Sequence, residues 1–198
     1  NPPDKIWKNF FEMLPQFLTS KKFPKIQKLK FESNPIKLPF IQFLKALTHL
    51  QRLSLSGSLN QENMEAVGQF LSSCTTLKSL NISGNQTGAL GPSIVQLFND
   101  IQKNKSIEKF DVSHNNFGDQ GLHALQELLM SNKLINNICF SGNKIEMPDS
   151  LFSFFDQMEA RNLPLKFDFP KDEIDYLKRK RKIRSAGIQR LKKSYERI

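Results

Sequence analysis

One nine-residue pattern recurs five times along this chain, and no other feature constrains its fold as tightly. The copies read IQKLKFESN (residues 26–34), LQRLSLSGS (50–58), LKSLNISGN (77–85), IEKFDVSHN (107–115) and INNICFSGN (135–143), with starts 24, 27, 30 and 28 residues apart. Positions 1, 4 and 6 are apolar in every copy, and the ninth is Asn except at Ser58. Apolar residues two apart mark a short strand with one buried face. A sixth, degenerate copy lies in NLPLKFDF (162–169), where the alternation survives and the Asn does not.

Between the strands the apolar period becomes that of a helix. Phe40, Phe43, Leu44 and Leu47 make one stripe; Met64, Val67, Phe70 and Leu71 another; then come Ile94, Leu97, Phe98 and Ile101, then Leu122, Leu125, Leu128 and Leu129, and finally Leu151, Phe152, Phe155 and Met158. A unit of one strand and one helix cannot enclose its own apolar face, so the units must stack. The expected fold is an α/β solenoid with parallel short strands on the concave side and helices on the convex side.

LKSLNISGN and IEKFDVSHNNFGDQGLHALQELL resemble the leucine-rich repeat of the ribonuclease-inhibitor-like type, whose pattern is LxxLxLxxNxxxxxGxxxLxxxL. The resemblance runs from about residue 25 to residue 169. Within that type, the mixed spacings and the basic extension after a terminal strand look most like the CARMIL-like cytoskeletal regulators of protists. The resemblance implies a non-enzymatic scaffold that binds protein partners.

Three segments follow: residues 1–24, read as the helix of a preceding or capping repeat, with Asp4 as N-cap and Ile6, Phe10, Leu14, Phe17 and Leu18 at helical spacing; 25–170, the repeat array; and 171–198, a basic amphipathic helical tail. Charge separates the last from the rest. Residues 1–170 hold 18 basic and 15 acidic side chains, whereas 171–198 hold 11 and 4. In the tail, Ile174, Leu177, Arg181, Arg184, Ile188, Leu191, Tyr195 and Ile198 follow a heptad-like spacing. The first apolar pair would cover the open end of the last repeat. The last four residues would meet a partner helix or a second copy of the chain, giving a homodimer, and Gly187 would break the helix just before them.

The recurrent Asn34, Asn85, Asn115 and Asn143 are expected to form a buried ladder of amides that satisfies backbone groups where the chain leaves each strand. Phe31, Phe110, Phe140 and Phe167 stand in leucine positions and read as thick core packing.

Catalysis and cofactor binding find little support. Asp111, Ser113 and His114 are close in sequence, but strand alternation leaves no geometry for a nucleophile–base–orienter relay. GNQTGALG (84–91) sits between a strand and a helix but lacks the GxxxxGK[ST] order of a phosphate loop, and no HExxH, CxxC or acidic metal loop occurs. The expectation is no enzyme, no metal and no cofactor. Cys74 and Cys139 lie in unrelated contexts, which suits reduced thiols. Glycosylation at Asn85, one of three acceptor patterns with Asn81 and Asn104, would destroy the ladder. Both points favour the cytoplasm.

Two binding surfaces remain. The outward strand residues form a polar lane in which Arg52, Lys78, Asn81, Lys109 and Asp111 are the candidate contacts for a protein partner, with Arg52 the natural anchor. Ser54 and Cys139 are expected on the same face. The lane also reads as a solvated inner face. Lys178, Arg179, Lys180, Arg181, Lys182, Arg184, Arg190, Lys192 and Lys193 form a cationic strip suited to an anionic partner. That partner could be a membrane surface, nucleic acid or an acidic protein; alternatively the strip is a solvated basic helix. The leading expectation is a protein-docking scaffold with a basic attachment helix. The alternative is a nucleic-acid or anionic-lipid binder in which the repeats are a rigid mount.

Overall fold

The computed structural model describes residues 25–85 and 89–198, together with Asn9, Glu12 and Met13. The helix expected in residues 1–24 lies outside the described residues except at Asn9, Glu12 and Met13, which are helical. In chain order the elements are β1 (Lys28–Lys30), α1 (Leu38–Ala46), β2 (Arg52–Ser54), α2 (Gln61–Ser73), β3 (Ser79–Asn81), a 3-10 turn (Gly91–Ser93) leading into α3 (Ile94–Gln102), β4 (Lys109–Asp111), α4 (Gly118–Ser131), β5 (Asn137–Cys139), α5 (Pro148–Ala160), β6 (Lys166–Phe167), α6 (Lys171–Arg179) and α7 (Ser185–Tyr195). The strands form one parallel sheet in sequential order, as stacking of like units requires.

Register follows the repeat. Leu29, Leu53, Leu80, Phe110, Ile138 and Phe167, the fourth residues of the copies, stand side by side. The sixth residues Phe31, Leu55, Ile82, Val112 and Phe140 form the next buried row. Backbone pairing outlasts the three-residue strands. Ser33, Gly57, Gly84 and His114 each donate an N–H to the carbonyl of the seventh residue in the next copy. At this eighth position Ser33, Gly57, His114 and Gly142 are left-handed, with φ of 54°, 63°, 57° and 78°, and the chain there turns out of the sheet.

The helical stripes are buried as expected, with one exchange. In α5 it is Phe154 that is fully buried, while Phe152 is half-buried beneath α7. Helix α5 is covered on two sides, so its apolar surface is wider than a single stripe. The phenylalanines thicken the core: Phe140 packs on Phe154 and Phe167 at 4.9 and 5.8 Å between ring centres, and Phe98 meets Phe110 edge-on at 6.0 Å.

The amide ladder is real but shorter than expected. Asn115 and Asn143 are buried; Asn143 Nδ2 donates to the carbonyls of Val112 and Phe140, and its Oδ1 accepts the Asn115 N–H at 2.7 Å. Asn34 and Asn85 are only half-buried. Ser58 does Asn34's share, its hydroxyl donating to the Phe31 carbonyl and accepting the Asn34 N–H. Asn85 instead lies over Gly57, where a Cβ would collide with its amide, and donates to the Ser33 hydroxyl at 3.1 Å.

A second ladder went unseen in the sequence. Asn104 donates to the carbonyls of Leu71 and Cys74, and Asn132 to those of Ile101 and Asn104. Both stand three residues before a repeat start, the signal that would have revealed them. Asn104 is fully buried, so its glycosylation pattern is consumed by structure.

Both ladders end on charged residues. Arg161, three residues before the sixth copy's first position, is 4% exposed and donates from Nη2 to the carbonyls of Asn132 and Ile135. Glu173, 2% exposed at the start of α6, takes the next rung of the first ladder by accepting the Asn143 N–H at 2.8 Å. Burial raises the Glu173 carboxyl above its usual 4.5, against backbone N–H groups of Asn143, Glu173 and Gly142 that favour its charge. The folded protein therefore keeps this proton at pH values where the unfolded chain has lost it. Stability from Glu173 is fully present below the ordinary carboxylate value and falls as pH rises through the raised one. Thermal melts from about pH 4 to about pH 8 are expected to show Glu173→Gln gaining on the parent chain as pH rises. A gap constant across that range would show that burial does not raise this carboxyl.

The tail differs most from expectation. It is two helices rather than one: α6 ends at Arg179, Arg181 is left-handed at φ 55°, and α7 starts at Ser185 and runs through Gly187 without a break. Gly187 instead admits close packing, since a Cβ there would lie 3.2 Å from the Phe152 ring. Ile174, Leu177, Ile183 and Leu191 are buried against the array. Tyr195 packs edge-on to Phe167 and Phe169 at 5.2 and 5.4 Å and donates its hydroxyl to the Phe167 carbonyl at 2.9 Å. The apolar group assigned to a homodimer is therefore used within the chain, where it closes the end of the solenoid.

Candidate interaction surface

Stacking brings the outward strand residues into rows. Register places Lys28, Arg52, Ser79, Lys109, Asn137 and Lys166 in one row, and Lys30, Ser54, Asn81, Asp111 and Cys139 in the next. Of the residues expected to meet a partner, Arg52 and Lys109 share the first row and are exposed. Lys28, an outward strand residue in the sequence reading, and Lys166 complete that row but were not singled out as contacts. Register places them in line with Arg52 and Lys109.

Lys78 lies outside these rows and is exposed, but its ammonium is 2.7 Å from Glu108. Asn81 and Asp111 are half-buried and build the strand exits. Asn81 Oδ1 accepts the Ser83 N–H at 2.8 Å, and Asp111 Oδ1 accepts both the N–H and the hydroxyl of Ser113 at 3.0 and 2.7 Å. His114 packs its ring over Gly142 on the neighbouring turn. Ser54, expected to face outward, is buried, because its hydroxyl donates to Glu32, which covers it. The Cys139 thiol is raised by burial and by Asp111 and Asp168, which suits a small filler better than a nucleophile.

Over β1 to β3 the lane deepens into a hollow of about 170 Å³ between Lys28, Lys30 and Arg52 on one hand and Ser79 and Asn81 on the other. Lys28 and Arg52 have no acidic partner among the described residues, and Lys30 lies 3.9 Å from Glu32. No group of three or more His, Cys, Asp or Glu among the described residues could hold a metal ion.

All nine basic residues of the expected strip are exposed, but α6 and α7 split them into two groups. Lys178 pairs with Asp175 at 3.2 Å, Lys182 with Glu146 at 3.6 Å, and Arg190 with Asp156 at 2.8 Å while stacking over Phe152 at 4.5 Å. Lys180 stands 5.9 Å from the ring centre of Tyr176, whose hydroxyl donates to Glu146. Arg179, Arg181, Arg184, Lys192 and Lys193 have no ion-pair partner among the described residues. No described helix is long and apolar enough to cross a membrane.

Comparison with known proteins agrees with this geometry. A family profile described as Leucine Rich repeat matches residues 73–91 and 103–125, which contain the third and fourth copies of the pattern. A Rho GTPase-activating protein, gacW, of Dictyostelium discoideum is 27% identical over 103 residues, covering 48% of this chain and 9% of that protein. The chain thus spans about a tenth of the curated relative it matches. Among solved structures, the tropomodulin C-terminal domain of Caenorhabditis elegans aligns with a TM-score of 0.54 at 11% identity, over 86% of this chain and 97% of that one. Leiomodin-1 actin-binding site 2 aligns at 0.48 and 14% identity, over 89% and 94%. The tropomodulin likeness is one of fold. Five sequence copies, six strands in repeat register and the matched profile together show that the described chain has the leucine-rich repeat fold.

Proposed function

We propose that this chain is a non-catalytic protein-interaction scaffold, working in the cytoplasm in cytoskeletal regulation, whose concave lane docks a protein partner. The observation that carries this reading is the row of exposed, outward strand residues centred on Arg52 and Lys109, held at fixed spacing by the sheet. Rigid presentation lowers the ordering cost of binding, which is what a docking surface needs. The cytoskeletal part rests on the repeat's resemblance to CARMIL-like regulators. It is compatible with the name of the Rho GTPase-activating relative, although the match spans only 9% of that protein.

A second reading has its own observation. Arg179, Arg181 and Arg184 at the α6–α7 turn, with Lys192 and Lys193 at the far end of α7, would attach the scaffold to an anionic surface, either lipid or nucleic acid, through a salt-sensitive contact. Affinity capture from cell extract with three full-length forms separates the two. Wild type and a form with Arg179, Arg181, Arg184, Lys192 and Lys193 changed to Gln are expected to retain the same cytoskeletal proteins, and Arg52→Glu/Lys109→Glu is expected to lose them. Loss of all capture in the tail form alone, with a steep dependence on salt, would replace the first reading by the second.

A further inference from the structure

The row Lys28, Arg52, Ser79, Lys109, Asn137 and Lys166 crosses all six strands and carries four cations and no carboxylate, with the Ser79 hydroxyl and the Asn137 amide as neutral groups between them. At a strand spacing of about 4.8 Å, the row is about 24 Å long. Its cationic density is highest at the N-terminal end, where Lys28 and Arg52 are directly paired in register and both line the hollow. Glu32, the acidic residue of that lining, is already engaged by the Ser54 hydroxyl and lies near Lys30. Two cations about 5 Å apart at their backbones, neither with an acidic partner among the described residues, repel each other until an anion lies between them.

We propose that this hollow is a carboxylate-binding subsite, and that the concave face takes an extended, acidic segment of a protein partner. The proposal rests on the scaffold reading above and gives its partner a chemistry. The planar fork of Arg52 suits two parallel bonds to one carboxylate, with Lys28 as a second charge and Ser79 and Asn81 as neutral hydrogen-bonding groups at the opposite wall. Same-side residues of an extended chain stand about 7 Å apart, so acidic residues at alternate positions reach successive cations of the row, and the flexible lysine stems absorb the mismatch.

A protein segment fits better than the other anionic polymers. Asp111 stands in the adjoining row and Glu32 lines the hollow, so negative charge interrupts the lane, which a continuous phosphate backbone would meet along its length and a segment with spaced carboxylates need not. No aromatic residue stands in either row to stack a base. A flat bilayer cannot follow a concave surface.

The test uses the full chain and a fluorescent twelve-residue peptide of alternating Glu and Ser, with a Gln-for-Glu peptide as control. Anisotropy is expected to rise with the Glu peptide only, and backbone amide shifts should centre on Arg52 and Ser79. Arg52→Gln should weaken binding about five- to tenfold, and Lys109→Gln about twofold. Arg181→Gln/Arg184→Gln should leave binding unchanged. Both concave positions are exposed, so an unchanged melting temperature confirms that the variants fold. Equal binding of the two peptides, insensitivity to Arg52→Gln, or shifts confined to residues 178–184 would overturn the proposal. If the Glu peptide fails to bind while concave substitutions still abolish capture from extract, the scaffold reading stands and the carboxylate subsite falls.

Discussion

A chain ending at residue 170 is expected to yield no soluble, cooperatively folded protein. The two terminal helices and the turn between them bury Ile174, Leu177, Ile183 and Leu191, each contributing about 1.5–3 kcal/mol. That is roughly 6–12 kcal/mol in all, comparable with the whole stability of a typical domain, about 5–15 kcal/mol. Their removal would also uncover Phe167, Phe169 and Phe155, which pack around Tyr195, and take away the Glu173 carboxyl that accepts the Asn143 N–H. Aggregation, or dye binding to exposed apolar surface without a sharp melt, is the expected readout. A truncated chain that melts like the intact one would show that α6 and α7 are a dispensable tail. Deletion is for the same reason a poor probe of binding, whereas changing the five unpaired basic residues to Gln should preserve the melt.

Asn143→Ala is expected to be the most damaging single truncation among the ladder residues, costing about 3 kcal/mol. The lost amide would deprive the Phe140 and Val112 carbonyls and the Asn115 N–H of partners in a buried site. Val112 keeps one bond, from Asn115 Nδ2 at 3.2 Å, which moderates the loss. At this chain length the melting temperature should fall by about 6–12 °C. Asn34→Ala should move it far less, since that side chain is half-buried and donates only to the nearby Glu32 carbonyl. Equal effects at the two positions would refute the view that burial, rather than membership of the pattern, gives a rung its worth.

That contrast also marks how far the sequence could be read. The nine-residue period specified the strand faces, because an alternation repeated at nearly constant spacing has one register in which every apolar residue is covered. The helical stripes followed for the same reason, down to Ile94, Leu97, Phe98 and Ile101. Asn104 and Asn132 were legible in principle, standing at one offset from two repeat starts, but two instances separated by unlike residues make no visible pattern. Arg161 and Glu173 could not be read at all. A charged residue in a buried rung becomes intelligible only when its neighbours' carbonyls and N–H groups are seen.

The sequence by itself determined that this chain stacks, which side of each strand faces the core, and that an excess of positive charge gathers at its end. Only the tertiary structure decided how those charges and apolar groups are used. The apolar stripe of residues 174–198 carries no label for what will cover it. The left-handed turn at Arg181 folds its second half back onto α5, so it closes the chain's own array. Likewise, no single copy shows a basic row. Lys28, Arg52, Lys109 and Lys166 become neighbours through strand pairing, which joins residues far apart in the chain at a spacing of about 4.8 Å.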